Sequence, residues 1–163
     1  MEEIKHEIDF DESGNVIFKN KLNVKRGSKS KSSGSQFELR VRKDLVRKNW
    51  IVDKWTNNLD LEKGEIVPAK RLFRKFKNNM GVMTIGTGFP DFICFQNRNE
   101  GYQIIGVEVK SNGILNRIEK EKCVWYLKNK IFSDIWIAKK QKIKNRVHVI
   151  YENFREIYPK LLV

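Results

Sequence analysis

Three charged residues stand at the ends of two short apolar segments, where charged side chains are uncommon. Asp91 immediately precedes the first segment, Phe92–Phe95. Glu108 lies near the end of the second segment, Ile104–Val109, and Lys110 directly follows it. Both segments are rich in β-branched and aromatic residues, and a polar, glycine-containing loop joins them, so we predict an antiparallel hairpin. Side chains alternate across a strand, so Glu108 and Lys110 share one face. The pattern therefore places two carboxyl groups and one ammonium group in a largely apolar hairpin.

Two neighbouring carboxylates in apolar surroundings repel each other, and burial raises their pKa values further. A hard divalent cation relieves both effects. Mg²⁺ typically binds one or two carboxylates, keeps several waters and takes substrate phosphate as a further ligand, which fits Asp91 together with Glu108. Lys110 could then direct its ammonium group at an attacking water or at the developing charge on a phosphate. The spacing predicts a metal site for hydrolysis of a phosphate ester.

Simpler interpretations of the same residues remain open. Proline is common at the first position of a strand, so Pro90-Asp91 could be only the turn that begins one. Glu108 and Lys110 could likewise form an ordinary surface ion pair. A dinucleotide-binding loop at GTG (86–88) is excluded, because a strand and not a helix is predicted to follow it.

The pair Pro90-Asp91, followed at a distance by Glu108-Val109-Lys110, resembles the PD-(D/E)xK nuclease superfamily. Within that superfamily, GTGFPDF (86–92) followed by GVEVK (106–110) is most similar to virus-type replication-repair nuclease domains and to archaeal Holliday-junction resolvases. The resemblance covers residues 35–151. It implies an α/β, restriction-endonuclease-like three-layer fold, with a central mixed β-sheet flanked by helices.

The resemblance also implies an activity, which is endonucleolytic hydrolysis of DNA with Mg²⁺ or Mn²⁺ as the cofactor. Asp91 and Glu108 are the implied metal ligands, the Val109 carbonyl is a further candidate ligand, and Lys110 acts on the nucleophile or on the developing charge. Holliday-junction resolution is the more specific expectation. It requires a two-fold homodimer, because such enzymes cut two strands symmetrically.

A first helix is predicted from Ser35 to about Asn49, because Phe37, Val41 and Leu45 recur at helical spacing. Glu38 borders this apolar stripe. The resolvase-like families carry an acid on their first helix that joins the metal site, and Glu38 matches that position. Ser35 and Glu38 also fit a capping box, in which the glutamate reaches back to the N-cap amide without any metal. Both interpretations of Glu38 stay open.

A second helix is predicted over Asn116–Lys130. Related nucleases often place a Gln or Lys on this helix to orient the water, and here Glu119 or Lys120 stands at the matching place while no Gln is present. The remaining predictions are strands at Trp50–Trp55, Ile135–Ala138 and Arg146–Tyr151, a turn over Asn57–Gly64, a basic turn over Lys139–Asn145 and a closing helix over Phe154–Leu161.

The formal net charge of +13 indicates a polyanionic partner, either nucleic acid or an anionic membrane. No apolar run approaches the ~20 residues that a spanning helix needs, and no signal-peptide core follows Met1, so we expect a cytoplasmic protein that binds DNA and no membrane. The most basic segment, Pro68–Asn79, interleaves cations with Phe73 and Phe76. The two aromatic rings could stack on unpaired bases or simply lie in the core. The predicted nucleic-acid-binding residues are Lys70, Arg71, Arg74, Lys75 and Lys77.

The chain is predicted to have three parts. Residues 1–20 form an N-terminal hairpin or a flexible segment, since apolar and polar residues alternate on either side of Ser13-Gly14-Asn15. Residues 21–34 combine Lys, Ser and Gly without an acid, which is typical of a linker that either tracks phosphates or is simply solvated. Residues 35–163 form the nuclease domain that the resemblance implies. Two alternatives to a deoxyribonuclease remain, a non-catalytic binding module of the same fold and a nuclease that cuts RNA.

Overall fold

The computed structural model of this chain describes residues 6–10, 15–69, 71–75, 81–85, 88–98 and 101–162. The strands are β1 (His6–Phe10), β2 (Val16–Asn20), β3 (Ile51–Lys54), β4 (Asn57–Asp60), β5 (Glu65–Pro68), β6 (Arg71–Lys75), β7 (Gly81–Ile85), β8 (Phe92–Arg98), β9 (Gly101–Val109), β10 (Asp134–Ile143) and β11 (Arg146–Asn153). The helices are α1 (Lys21–Arg47), α2 (Arg117–Lys128) and α3 (Phe154–Ile157), followed by a 3₁₀ turn at Pro159–Leu161. The chain divides into two compact units, Met1–Leu39 and Arg40–Val163.

The N-terminal unit contains the predicted hairpin, in which β1 and β2 pair antiparallel with Ile8 opposite Phe18. The predicted linker over residues 21–34 is wrong, because α1 already begins at Lys21. Asn20 initiates this helix, since its side-chain oxygen accepts a hydrogen bond from the Leu22 amide at 2.9 Å. The Ser and Gly residues suggested a linker, but the helix continues through them. Ser35 is therefore in a helix interior and is no N-cap.

A five-stranded mixed sheet forms the centre of the C-terminal unit, with strand order β11-β10-β9-β8-β3. Strand β8 pairs antiparallel with both β3 and β9, and β10 pairs antiparallel with β11. Strands β9 and β10 are parallel and are joined through α2. A parallel pair needs a crossover connection, and α2 supplies it. These elements confirm the predicted α/β class with a central mixed sheet.

The main core of the C-terminal unit lies between α2 and one face of this sheet. Cys123, Tyr126 and Leu127 project from α2 onto Ile135 and Ile137 of β10. The other members of the cluster are Leu59, Phe89, Leu115, Phe132 and Phe154. The sheet's opposite face carries Trp136, whose ring lies 5.3 Å from Trp50 and 5.7 Å from Tyr151. The central strands are therefore packed on both faces, which explains their high content of apolar residues.

Two predicted turns are strands in the structure. The segment Asn57–Gly64 contains β4, which pairs with β5, and the buried side chain of Leu59 anchors it although its neighbours are poor strand formers. The basic turn predicted over Lys139–Asn145 is mostly the continuation of β10, because β11 supplies a ladder of hydrogen bonds up to Ile143. Tertiary pairing overrides local preference in both cases.

The most basic segment is described only in part. Arg71, Arg74 and Lys75 lie on β6, which pairs antiparallel with β7, while Lys70 and Lys77 lie outside the described residues. The assignment of all five residues to nucleic-acid binding stays a prediction. Within the described part of the chain, none of the helices combines the length and the apolar character that crossing a membrane requires.

Candidate active site

The loop before β8 holds Asp91 in place through tight backbone contacts. A Cβ atom on Gly88 would lie 2.1 Å from the Trp55 carbonyl oxygen and 2.5 Å from that of Asn57, so only glycine fits. The Phe89 amide donates to the Asn57 carbonyl at 2.9 Å, and the Trp55 amide donates to the Asp91 carbonyl at 3.1 Å. The loop is thereby fixed on both sides of its cis Phe89–Pro90 peptide bond.

Pro90 packs onto the neighbouring strand at a second glycine. A Cβ atom on Gly106 would lie 2.7 Å from Pro90 Cγ and 3.3 Å from the Phe132 ring. Gly106 thus lets the buried Pro90 approach the backbone of β9 closely. The GFPD and GVEVK motifs fit together through this contact, which brings their acidic residues side by side.

Asp91 and Glu108 face each other across the β8–β9 pair. Phe92 lies opposite Val107, so one step further along the ladder Asp91 lies opposite Glu108. The Val109 amide donates to Asp91 Oδ2 at 2.8 Å, and the Asp91 amide donates to Glu108 Oε2 at 3.2 Å. Each carboxylate is oriented by a backbone amide from the other strand. The structure therefore brings the two predicted acids together.

Glu108 is the one buried charged residue among those the structure describes, with 5% of its surface exposed. Burial, and then the negative charge of Asp91, raises its pKa to about 8, against the opposing effect of Lys110. A carboxylate in this position has too little positive charge around it to stay ionised at neutral pH. A cation bound between the two acids would restore the balance.

Lys110 lies between two carboxylates. Its Nζ atom is 3.2 Å from Glu108 Oε1 and 2.6 Å from Glu119 Oε1. Burial works to lower the pKa of Lys110, but the hydrogen bond to Glu119 and the negative charges of Glu108 and Glu119 raise the pKa overall. Lys110 is therefore an ammonium group at neutral pH. It can donate hydrogen bonds and supply positive charge, and it is a poor general base.

Glu119 holds Lys110 from the first turn of α2. A capping box fixes this glutamate, since its Oε2 atom accepts from the Asn116 amide at 2.8 Å and its own amide donates to Asn116 Oδ1 at 2.9 Å. Of the two auxiliary candidates, Glu119 contacts the site, whereas the Lys120 ammonium lies 4.5 Å from the centre of the Tyr158 ring. Glu119 acts by positioning the ammonium group.

A second lysine at the site was not predicted. Lys122 Nζ donates to Asn58 Oδ1 at 2.6 Å and lies over the Phe89 ring. Burial lowers the pKa of Lys122, while the charges of Glu119 and Glu108 oppose that effect. Lys122 therefore interacts electrostatically with the same two carboxylates that contact Lys110. The spacing of Glu119 and Lys122, three residues apart on one helix face, was the available signal. No sequence signal pointed to Asn58, because its segment is predicted to be a turn.

The donor set fits a hard divalent cation with few protein ligands. Asp91 and Glu108 supply two carboxylates, and the Val109 carbonyl, whose residue donates its amide to Asp91, is a further candidate ligand. Among the described residues, no group of three or more His, Cys, Asp or Glu side chains is arranged to hold a metal ion. Two carboxylates, a carbonyl and waters are a common Mg²⁺ environment, whereas Zn²⁺ prefers Cys and His ligands.

The prediction for Glu38 is untested. Glu38 lies on α1 in the N-terminal unit and is half-buried. The capping-box interpretation of Glu38 is wrong, because Ser35 lies well inside the helix and its amide is not one of the free amides of a helix start. The apolar stripe beside it is confirmed, since Phe37, Val41 and Leu45 are all buried.

Comparisons of this chain with protein-family models, with curated proteins and with solved structures each return no match. Support for a function therefore comes from the geometry of five charged side chains and from the resemblance of the two motifs. These side chains are Asp91, Glu108, Lys110, Glu119 and Lys122.

Proposed function

We propose that this protein is a Mg²⁺- or Mn²⁺-dependent endonuclease of the PD-(D/E)xK type that hydrolyses phosphodiester bonds in DNA. The observation that carries the proposal is the pairing of Asp91 with Glu108, each held by an amide of the opposite strand, beside an ammonium group. A surface ion pair would not bury a glutamate next to a second acid, because such burial destabilises the fold unless the site has another use.

The arrangement of the C-terminal unit supports the finer fold assignment. Three antiparallel strands, β3, β8 and β9, lead through α2 into a parallel strand, β10, and the acids lie where β8 begins and β9 ends. The helix α1 precedes this series. The resemblance implies the same order of helix, three strands, helix and strand, so we propose a restriction-endonuclease-like fold.

The chemistry requires water to attack phosphorus and lose a proton to solvent, the bond from phosphorus to one sugar oxygen to break, and that oxygen to accept a proton from solvent. A bound Mg²⁺ would polarise the phosphate and lower the pKa of a coordinated water. Asp91, Glu108 and the Val109 carbonyl would hold the cation. Lys110 holds its proton and stabilises negative charge that develops on the phosphate, while Glu119 keeps the ammonium group directed into the site.

DNA is the proposed substrate because of the large positive charge, and the Holliday junction is the proposed branched form. Junction cleavage requires two copies of the site, so it also requires a homodimer. Phosphate contacts do not distinguish the sugar, and cleavage of RNA is the outcome that would redirect the proposal. The non-catalytic binding module is the outcome in which nucleic acid is bound and nothing is cut.

The deciding experiment is a cleavage panel that compares linear duplex, single-stranded, flap and four-way-junction DNA with single-stranded and duplex RNA. Each substrate is incubated with Mg²⁺, with Mn²⁺ and with EDTA. We expect metal-dependent cutting of at least one DNA substrate and none in EDTA. Binding without cutting under every metal condition would overturn the enzymatic proposal.

Asp91→Asn, purified in parallel, is the control for contaminating nucleases. We expect it to fold and to bind DNA with affinity close to that of the wild type, because the change leaves the basic surface intact. Activity of the same strength in the two preparations would assign the cutting to a contaminant.

A further inference from the structure

The strands β10 and β11 extend beyond the central sheet as a two-stranded ribbon. β10 pairs with β9 only up to Ala138, whereas its pairing with β11 continues to Ile143. The eight consecutive residues 141–148 are all exposed, in contrast to the alternating burial within the sheet. The side chains on both faces of this segment are therefore accessible to a binding partner. We call Lys139–Ile150 the basic ribbon.

The tip of the basic ribbon is a two-residue turn. Ile143 and Arg146 are the last paired residues, and Lys144 and Asn145 between them have positive φ angles of 44° and 63°. Positive φ at both central residues is the type I′ geometry, whose twist matches that of the flanking strands. Such a turn makes a narrow end with regular strands leading to it.

Both faces and the tip of the basic ribbon carry cations. Residues 139–151 include five basic residues and no acidic one. Cross-strand partners share a face, so Lys142 with Val147 lies on one side and Ile143 with Arg146 on the other. Lys144 lies at the tip. Lys139 instead forms an ion pair with Glu152 at the base.

The base of the ribbon adjoins the candidate active site. The amide of Lys110 donates to the Ala138 carbonyl at 2.9 Å, and the Lys140 amide donates to the Ser111 carbonyl at 3.2 Å. Ile137 pairs with Glu108 across the parallel ladder, so Glu108 lies on the same face of the sheet as Ile137, Ile143 and Arg146. A nucleic acid in contact with this face of the ribbon therefore extends towards the proposed metal site.

We propose that the basic ribbon enters the major groove of duplex DNA tip first and so positions the duplex at the active site. This inference rests on the proposed nuclease function for its consequence, although binding can be tested without it. The segment from Gln141 to Lys144 extends about 10 Å at ~3.4 Å per residue. The major groove is about 12 Å wide and about 8.5 Å deep, and it admits a two-stranded ribbon.

The distribution of charge favours a groove over a flat surface. A groove presents phosphates on both sides of an inserted element, which matches cations on both faces and at the tip. A flat anionic membrane would contact one face only. Duplex RNA is also a poor fit, because its major groove is too deep and narrow for protein elements to enter. The basic ribbon thus favours B-form DNA.

The outer strand of the ribbon is also held near its tip. The Arg40 guanidinium donates to the Val147 carbonyl at 2.9 Å, on the outer strand of the ribbon. This bond links α1 to a strand that has no further neighbour in the sheet. A ribbon held in one direction loses less conformational freedom when it binds, which strengthens binding.

The test is a triple variant, Lys142→Gln with Lys144→Asn and Arg146→Gln, which removes three cations and keeps polar side chains. Asn suits the positive φ at position 144. The matched control, Lys63→Gln with Lys128→Gln and Lys160→Gln, removes three exposed cations elsewhere. Binding to a short blunt DNA duplex and to duplex RNA of the same sequence is measured in EDTA over a series of salt concentrations.

For the triple variant we expect the Kd for duplex DNA to rise at least about tenfold, and the salt slope to fall by about 2 to 3, close to 0.9 per lost phosphate contact. The Kd for duplex RNA should change far less. Wild-type protein should protect guanine N7, which lies in the major groove, from dimethyl sulfate, and the triple variant should not. The control variant should behave nearly as the wild type does.

A triple variant that binds DNA as the wild type does, or wild-type protein that leaves guanine N7 reactive, would overturn the inference even if the enzyme cuts. Conversely, if the ribbon variant loses affinity while the wild type cuts no substrate with any metal, the ribbon assignment stands and the nuclease proposal fails. Equal melting temperatures of the three proteins exclude unfolding as the cause.

Discussion

Glu108 and Asp44 are both acids that contact a lysine in the C-terminal unit, yet their pKa values move in opposite directions. For Asp44, burial works to raise the pKa, but hydrogen bonds from Lys48 and Tyr151 and the charges of Lys48 and Arg47 lower it overall. Lys48 Nζ lies 2.8 Å from Asp44 Oδ2, and the Tyr151 hydroxyl donates to the same oxygen at 3.0 Å. Asp44 is a satisfied anion.

Glu108 has the opposite balance. Its ammonium partner, Lys110, is shared with Glu119, and a second acid, Asp91, lies opposite it. Burial and the charge of Asp91 therefore raise the pKa of Glu108 to about 8. The difference shows how to separate a structural acid from a candidate ligand. Donors that outnumber acids indicate a role in stability, and acids that outnumber donors mark a candidate functional site.

The largest expected effect comes from Glu108→Gln. If Glu108 ligates the metal as proposed, its loss should reduce cleavage at least about a thousandfold, since changes to residues that only support a ligand already cause losses of about 10- to 100-fold. Its melting temperature in EDTA should equal or exceed that of the wild type, because on folding the wild type must protonate Glu108 or bury its charge, and glutamine requires neither. Nicking rates with Mg²⁺ and thermal unfolding in EDTA measure the two quantities.

Asp44→Asn is the matched control and should show the reverse pattern. It should keep cleavage near the wild-type rate and lose about 1 kcal/mol of unfolding free energy, through its weakened hydrogen bonds. Full cutting by Glu108→Gln would remove Glu108 from the site. Loss of cutting in Asp44→Asn without unfolding would show that the comparison does not separate the two roles.

The two lysines extend the comparison. Lys110→Gln should lower kcat by about 10²- to 10³-fold with little change in affinity for DNA, because it removes one positioned positive charge at the reacting group. Lys48→Gln should leave kcat unchanged and alter the unfolding free energy by at most a few tenths of a kcal/mol, since its ammonium is half exposed. Steady-state kinetics and urea unfolding test both. Similar kcat losses in the two variants would indicate a general charge effect.

Glu119→Gln should give an intermediate effect. Glutamine can still close the capping box with Asn116, so α2 should keep its stability, but the charge that holds Lys110 is lost. We expect a decrease in kcat of about 10-fold, within the range for residues that position others. Asn116→Ala is the control, with a loss of about 1 kcal/mol in stability and nearly unchanged kcat. An unchanged kcat in Glu119→Gln would limit Glu119 to capping.

The pairing of Asp91 with Glu108 could be predicted from the sequence because it depends on local rules. A short hairpin and the alternation of side chains are sufficient to place these residues together. Lys122 and Asn58 could not be paired in this way, since they are far apart in sequence and Asn58 lies in a hairpin that its own residues do not favour. Contacts between distant elements depend on how α2 packs, which no local pattern specifies.

The start of α1 was mispredicted for a related reason. Ser and Gly over residues 21–34 are typical of linkers, and each glycine costs about 1 kcal/mol relative to alanine in a helix. The cap at Asn20 and the continuous helix into the buried stripe around Val41 outweigh that composition. Sequence composition indicates only the local preference for helix or coil. Whether the helix forms depends on the tertiary packing of its C-terminal part.

The smallest expected effect is the pH dependence of the Asp44 contribution. The folded-state pKa of Asp44 is lowered, so its stabilising effect is fully present above the unfolded-state pKa of about 3.9 and is lost as the pH falls through the lower folded value. The stability gap between wild type and Asp44→Asn should be constant from pH 7 to about 5 and should close at lower pH. The gap should not exceed about 1 kcal/mol, because Asp44 lies near the surface.

Urea unfolding of both proteins across this pH range measures the stability gap. Tyr151→Phe, which removes one hydrogen-bond donor to Asp44, should narrow the gap at neutral pH. A gap that widens as the pH falls would mean that Asp44 is not held as an anion, and the contrast with Glu108 would then lose its physical basis.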